Sequence, residues 1–181
     1  MKKLISILIL FYYCFAGFAI AQNEFTTLDS VRLVRKIDKQ MISLRQELDK
    51  KYGEDQHKEL MIEFAIDTAR IERFTSEKMS IDYSTAGMND AITELNNGYD
   101  KLLNKYYKKL ISGLEPTDKE ILKQAQRNWI LYRDSQIKLI RLLSDDKYSG
   151  GGSIQTNICS ADILSLTKER VIQLFQYIVW E

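Results

Sequence analysis

The chain has 181 residues, with 26 Lys+Arg against 25 Asp+Glu, one His, one Pro, two Cys and 45% apolar side chains. That describes one folded domain, or a domain with an appendage, and excludes both wholesale disorder and any His-rich metal site. A net charge of +1 removes the strongest reason to expect a nucleic-acid partner, and eight Gly with one Pro leave few turns, so long helices should dominate.

Lys2 and Lys3 precede an apolar run from Leu4 to Ile20, and Ala19-Ile20-Ala21 has the small-x-small form of a signal-peptidase site. Residues 1–21 read as a secretory signal peptide, which makes the protein periplasmic or secreted and starts the mature chain at Gln22. An uncleaved anchor is the alternative, because the run is about as long as the ~17 residues that span a bilayer. The Ala-x-Ala ending favours cleavage. Loss of Lys2 and Lys3 takes the formal charge from +1 to −1, and loss of Cys14 leaves Cys159 as the single thiol. Free cysteine is among the most buried residue types, so Cys159 is expected inside; pairing between chains is the other outcome.

The first mature helix is expected over Thr27 to Tyr52. Val34, Ile37, Met41, Leu44 and Leu48 recur at 3-4-3-4 spacing, a heptad seam. Gly53 should stop it in a left-handed turn. Asp55 can cap a second helix to about Lys78, with Leu60, Phe64, Ile71 and Phe74 inward. Interleaved charges on both helices read as a solvated outer face, and His57 among them as a surface residue.

A joint at Tyr83–Gly87 leads to a third helix ending near Ile111, with Met88, Ile92, Leu95, Tyr99, Leu102 and Tyr106 on its seam. Gly98 lies inside it. An interior glycine costs about 0.5–1 kcal/mol relative to Ala, so it should serve a close helix–helix approach. Thr117 and Glu120 have capping-box spacing for a fourth helix that ends near Ser144, carrying Leu122, Ala125, Trp129, Tyr132, Leu139 and Leu143 inward with Gln136 as the polar exception. Asp145 to Ile158 reads as one long loop around Gly150-Gly151-Gly152. Ser160 or Asp162 then opens a last helix through Leu164, Val171, Leu174 and Ile178. The fold class is all-α: an antiparallel bundle of about five helices. Domain divisions fall at 22–80, a helical hairpin, and 81–181.

Catalytic chemistry finds little support. There is no His or Cys pair and no EF-hand spacing for a metal. Ser153 has no His base, and Cys159 has only His57. The glycine run lacks the Lys-Ser/Thr ending of a phosphate loop and no strand precedes it. No enzyme activity, cofactor or metal is expected.

Several segments together carry a resemblance: Met88-Asn89 with Leu95-Asn96, Tyr99 and Leu102; then Ala125-Gln126-Arg127, Trp129-Ile130 and Tyr132-Arg133-Asp134; then Gly151-Gly152-Ser153-Ile154; then Leu166-Thr167 with Arg170. In this order they resemble the LprI-type lysozyme-inhibitor domain family, small secreted or lipid-anchored bacterial envelope proteins, over about residues 85–178. The resemblance implies an all-helical extracytoplasmic domain and, for the family's named member, lysozyme inhibition. Relatives often carry cysteines where this chain has Ala91 and Ile137, so the disulfides the family implies are absent here, and only Cys159 resembles a family cysteine.

The resulting expectation is an exported envelope binding protein that occludes a lysozyme cleft. The partner-binding loop would be Lys147, Tyr148, Gly151, Gly152 and Ser153. Lys147 would pair with a carboxylate, Tyr148 bury its ring at the rim and Ser153 donate a hydrogen bond. Trp129, Tyr132, Arg133, Asp134, Thr167 and Arg170 are read as structural: Trp129 and Tyr132 as core, Arg133 and Asp134 as braces of the 145–158 loop. The alternative is a non-catalytic structural or adaptor protein using the N-terminal helices. Expected partners are lysozyme or another envelope protein, with no nucleic acid and no membrane after cleavage, as a monomer or homodimer.

Overall fold

The computed structural model describes residues 24–180. The signal-peptide reading of residues 1–21 lies outside them. The described residues form helices α1 (Thr27–Tyr52), α2 (Lys58–Ile81), α3 (Thr85–Gly113), α4 (Pro116–Leu143), the four-residue α5 (Asp146–Ser149) and α6 (Ile154–Val179), with no strand among them. The all-α expectation holds.

Local chemistry sets the boundaries. Thr26 and Asp29 form a reciprocal capping box at the start of α1, and Gly53 ends it at φ 54. Ser84 caps α3 by accepting from the Gly87 amide. The capping box expected at Thr117 does not form. Pro116 occupies the first helical position, where its fixed φ is already helical, so Glu115 becomes the boundary residue and Thr117 falls inside the helix.

Hydrogen bonds and ring contacts give the topology. Ion pairs Arg45–Glu59 and Lys36–Glu77 at opposite ends make α1 and α2 antiparallel. Gly98 faces Ile71, and a Cβ there would sit 3.2 Å from Ile71 Cγ2, so the glycine does permit close α2–α3 approach. At one end of α3, Asn89 accepts from Ser160 at 2.6 Å; at the other, Tyr106 meets Phe175 edge-on. Helices α3 and α6 therefore run parallel, and they make the most extensive helix–helix contact. α4 crosses back to allow this.

The main core gathers Tyr99, Leu102, Leu103, Tyr106 and Leu110 of α3, Leu122 of α4, and Val171 and Leu174 of α6, with Phe64 and Ile71 of α2 packed against it. A second cluster, Leu33, Ile37 and Met41, seats α1 on Ile66, Ala69 and Phe74. α2 thus serves both clusters. Val34, expected inward, is 44% exposed: α1 packs chiefly on α2 and leaves a groove toward α3.

The inward face of α4 is rotated from the expected seam. Leu122 is its one buried residue; Gln126, Trp129, Arg133 and Ile137 are half-buried or on that side, while Ala125, Tyr132, Leu139 and Leu143 are exposed. Tyr132, read as core, is 54% exposed. Part of the reason is polar: Arg170 of α6 donates hydrogen bonds to Gln126, which turns the Leu122–Gln126–Trp129 face of α4 toward α6.

Candidate functional site

The segment after α4 is built differently from the expected long loop. Asp145 accepts from the Lys147 amide at 3.0 Å and starts α5, and Gly150 closes it at φ 80 with its amide on the Asp146 carbonyl. α6 begins at Ile154, not at Ser160 or Asp162, with Ser153 as its boundary residue. Only residues 150–153 remain as a linker. All three glycines have φ between 79 and 101, a region costly for any residue with a Cβ. Gly151 is also crowded, since a Cβ would lie 3.2 Å from the Asp146 carboxyl.

The expected partner-binding residues therefore sit on three different pieces. Lys147 and Tyr148 belong to α5, Gly151 and Gly152 to the linker, and Ser153 to the start of α6. They stay together at one tip. Lys147, Tyr148, Gly152 and Ser153 are exposed, and the Lys147 ammonium lies 5.0 Å from the Tyr148 ring. Ser153 makes no capping bond, so its hydroxyl is free to donate outward. The Asn89–Ser160 bond anchors α6 two turns below.

The second cluster lies between α4 and α6. Arg170 is 8% exposed. Its Nε and Nη2 donate to Gln126 Oε1 at 3.1 and 2.9 Å, and its Nη1 donates to Gln173 Oε1 at 2.5 Å. Two guanidiniums lie against Trp129, Arg133 5.3 Å and Arg170 5.8 Å from the ring centroid. Arg133 donates to Asp134 Oδ1 from Nε and Nη2. The brace from Arg133 and Asp134 to the 145–158 segment is not formed, because the pair satisfies itself and lies against Trp129. Thr167, 3% exposed, belongs to the α6 face toward the core. Sequence reasoning read Trp129 and Arg170 as structural but did not bring them together, and it missed Gln126 and Gln173 as the polar partners of Arg170. Gln126 lay within the quoted motif; Gln173, three residues after Arg170, is a helical neighbour and was legible as one.

A ladder of tyrosine–carboxylate bonds ties α2 to α3. Tyr99 donates to Glu72, which also accepts from Lys168, and Tyr106 donates to Asp67, which also accepts from Lys105. Burial first, then the adjacent carboxylate, pushes both phenols far above their ordinary 10.0. For Glu72, burial alone would raise its carboxyl, but the bonds from Lys168 and Tyr99 outweigh it and hold it below the ordinary value. This network joins helices, and its Asp67 end borders the groove between α1 and α3. Cys159 is half-buried rather than fully inside. Among the described residues no group of three or more His, Cys, Asp or Glu could hold a metal, and no helix is long and apolar enough to cross a membrane.

A protein of Rhizobium meliloti (strain 1021) described as uncharacterized is 33% identical over 88 residues, 41% of this chain, and the match spans 60% of that relative's own length. No solved structure matches the chain. The family profile described as "Lysozyme inhibitor LprI" matches residues 76–174, from the last turns of α2 through most of α6, and so takes in the α5–linker tip, the Trp129–Arg170 cluster and the parallel α3–α6 pair. The chain belongs to the LprI lysozyme inhibitor family.

Proposed function

We propose that this is an exported, non-catalytic envelope protein that inhibits lysozyme by placing its α5–linker tip in the enzyme's cleft. The observation that carries the reading is the tip itself. Lys147, Tyr148 and Ser153 project from a short turn whose three positive-φ glycines keep the backbone bare. A lysozyme cleft is lined by carboxylates. Lys147 would pair with one, Ser153 would donate to another acceptor, and Tyr148 would bury its ring at the rim, where aromatic side chains contribute most. The mature charge of −1 gives modest electrostatic steering toward cationic lysozymes, so the complex would depend on contact rather than on a fast on-rate.

The test is lysis of a peptidoglycan suspension by lysozymes of several types, with and without the protein from Gln22. Dose-dependent protection that falls on Lys147→Ala and on Ser153→Ala is the expected result. Inhibition unchanged by both substitutions removes the tip from the mechanism.

One observation favours a second reading, an adaptor that binds a partner through α1. Val34, 44% exposed, lines a groove of about 470 Å³ with Ile71, Phe74 and Gly98, and Leu28 and Val31 of the same helix are exposed as well. Loss of an envelope partner in a pull-down on Val34→Asp, with lysis unaffected by the wild-type protein, would move the function to that groove.

A further inference from the structure

Two basic side chains are buried among the described residues, Lys78 and Arg170, and they are satisfied in opposite ways. Lys78 reaches two carboxylates, Asp90 at 2.6 Å and Glu94 at 2.7 Å. Arg170 reaches only the amide oxygens of Gln126 and Gln173. A buried charge is ordinarily matched by an opposite one, because amide dipoles repay only part of its lost hydration. Neighbouring Arg133 shows what a matched guanidinium looks like here, with Asp134 on two of its nitrogens. Burial pushes the Arg170 guanidinium below its ordinary value, and no carboxylate offsets it.

The unmatched guanidinium lines an open groove of about 360 Å³ between α4 and α6, together with Trp129, Tyr132, Leu166, Gln173 and Gln176. Three of its N–H groups are engaged, which leaves two of a guanidinium's five for a ligand. We propose that this groove binds a carboxylate, held by the free edge of Arg170 with its attached apolar carbon against Trp129 and Leu166. The planar fork of arginine fits a carboxylate in a two-point contact. Glu169, exposed on the rim, would repel a dianion such as phosphate more than a singly charged carboxylate. The groove is concave and separate from the projecting tip, so this site does not depend on lysozyme inhibition.

The carboxylate can come from a peptide C-terminus or from an acidic side chain, and three peptides separate the sources: N-acetyl-alanyl-alanine, its C-terminal amide, and N-acetyl-alanyl-glutamyl-alanine amide. Each is titrated into the ¹⁵N-labelled protein from Gln22 while the Arg170 Nε–H and Trp129 Nε1–H resonances are followed. Saturable shifts with either acid, and none with the neutral amide, are expected; the acid that acts names the source. Gln173→Glu is the second arm. It places a carboxylate at the 2.5 Å acceptor position, and so should raise Tm by several degrees and weaken peptide binding at least tenfold. Absence of saturable shifts with both acids, or equal shifts with the neutral amide, overturns the proposal. So does a Gln173→Glu variant that is no more stable and binds as before.

Discussion

Replacement of one glycine at the tip separates a built geometry from a slack linker. Gly151 has φ 79, and a Cβ on it would lie 3.2 Å from the Asp146 carboxyl. Gly113, at the end of α3, has open space around the same position and no positive φ. In Gly151→Ala the left-handed backbone costs about 1–2 kcal/mol for an L-residue with a side chain. Displacing Asp146 adds to that cost. For a domain of this size ~1–2 kcal/mol corresponds to a Tm loss of about 2–8 °C. If the tip relaxes instead of carrying the strain, Tm holds while amide exchange over residues 146–153 accelerates, and lysozyme inhibition falls about 5- to 30-fold, the same energy expressed in binding. Gly113→Ala should be neutral, or stabilising by up to about 1 kcal/mol, through the unfolded chain. The assay is thermal melting, amide exchange and the lysis test on both variants. Identical behaviour of the two variants in all three would refute the argument that positive φ fixes the tip.

Other predictions follow from the same packing. Leu174, fully buried, should cost about 2–5 kcal/mol on truncation to Ala in urea unfolding, whereas Leu131, 68% exposed, should cost under about 1 kcal/mol; equal losses would mean the outer face of α4 is covered. Trp129→Ala should release α4 from α6, seen as faster amide exchange across residues 116–143, while Tyr132→Ser leaves that exchange unchanged. Glu63 and Glu72 both have carboxyls held below 4.5, burial opposing and lysine bonds prevailing, so the stability they supply is present above that value and is lost as pH falls below it. Tyr99 and Tyr106 sit above 10.0, and Lys78 and Lys105 above 10.5, so their contribution is complete below those values and is lost on further rise. The urea midpoint should be flat between about pH 5 and 10 and fall on both sides; a monotonic change across that range would contradict the ladder.

The helical architecture was readable because its signals are local. The α3 seam placed Tyr99, Leu102 and Tyr106 in the core, and the lone interior Gly98 announced a close neighbour, met as Ile71. α4 was misread at Ala125 and after Trp129 because periodicity weighs apolar residues, whereas the side chains that turn this helix toward α6 are Gln126 and Trp129, both held by Arg170. The tip was misread for a related reason. Three glycines suggest slack, but Asp145 is a strong cap and fastens a helical turn directly before them. The bare charge of Arg170 was invisible in the sequence. Glu169 stands next to it, and only the fold shows that the guanidinium bonds Gln126 and Gln173 instead.

The parallel union of α3 and α6 also sets an order of assembly. A chain made from its N-terminus can close the α1–α2 hairpin at once, since those helices are joined by five residues. α3 has its main partner more than forty residues further on, beyond α4 and the tip. Until α6 emerges, Tyr99 and Tyr106 have only α2 to lie on, and α4 lacks the Arg170 contacts to Gln126 and Trp129 that seat it. Non-local closure of this kind slows folding relative to a simple up-and-down bundle. The last helix is therefore the latch of the molecule: a chain halted before residue 154 keeps α1 and α3 on α2 but leaves α4 without its main partner, and the completed one is a bundle.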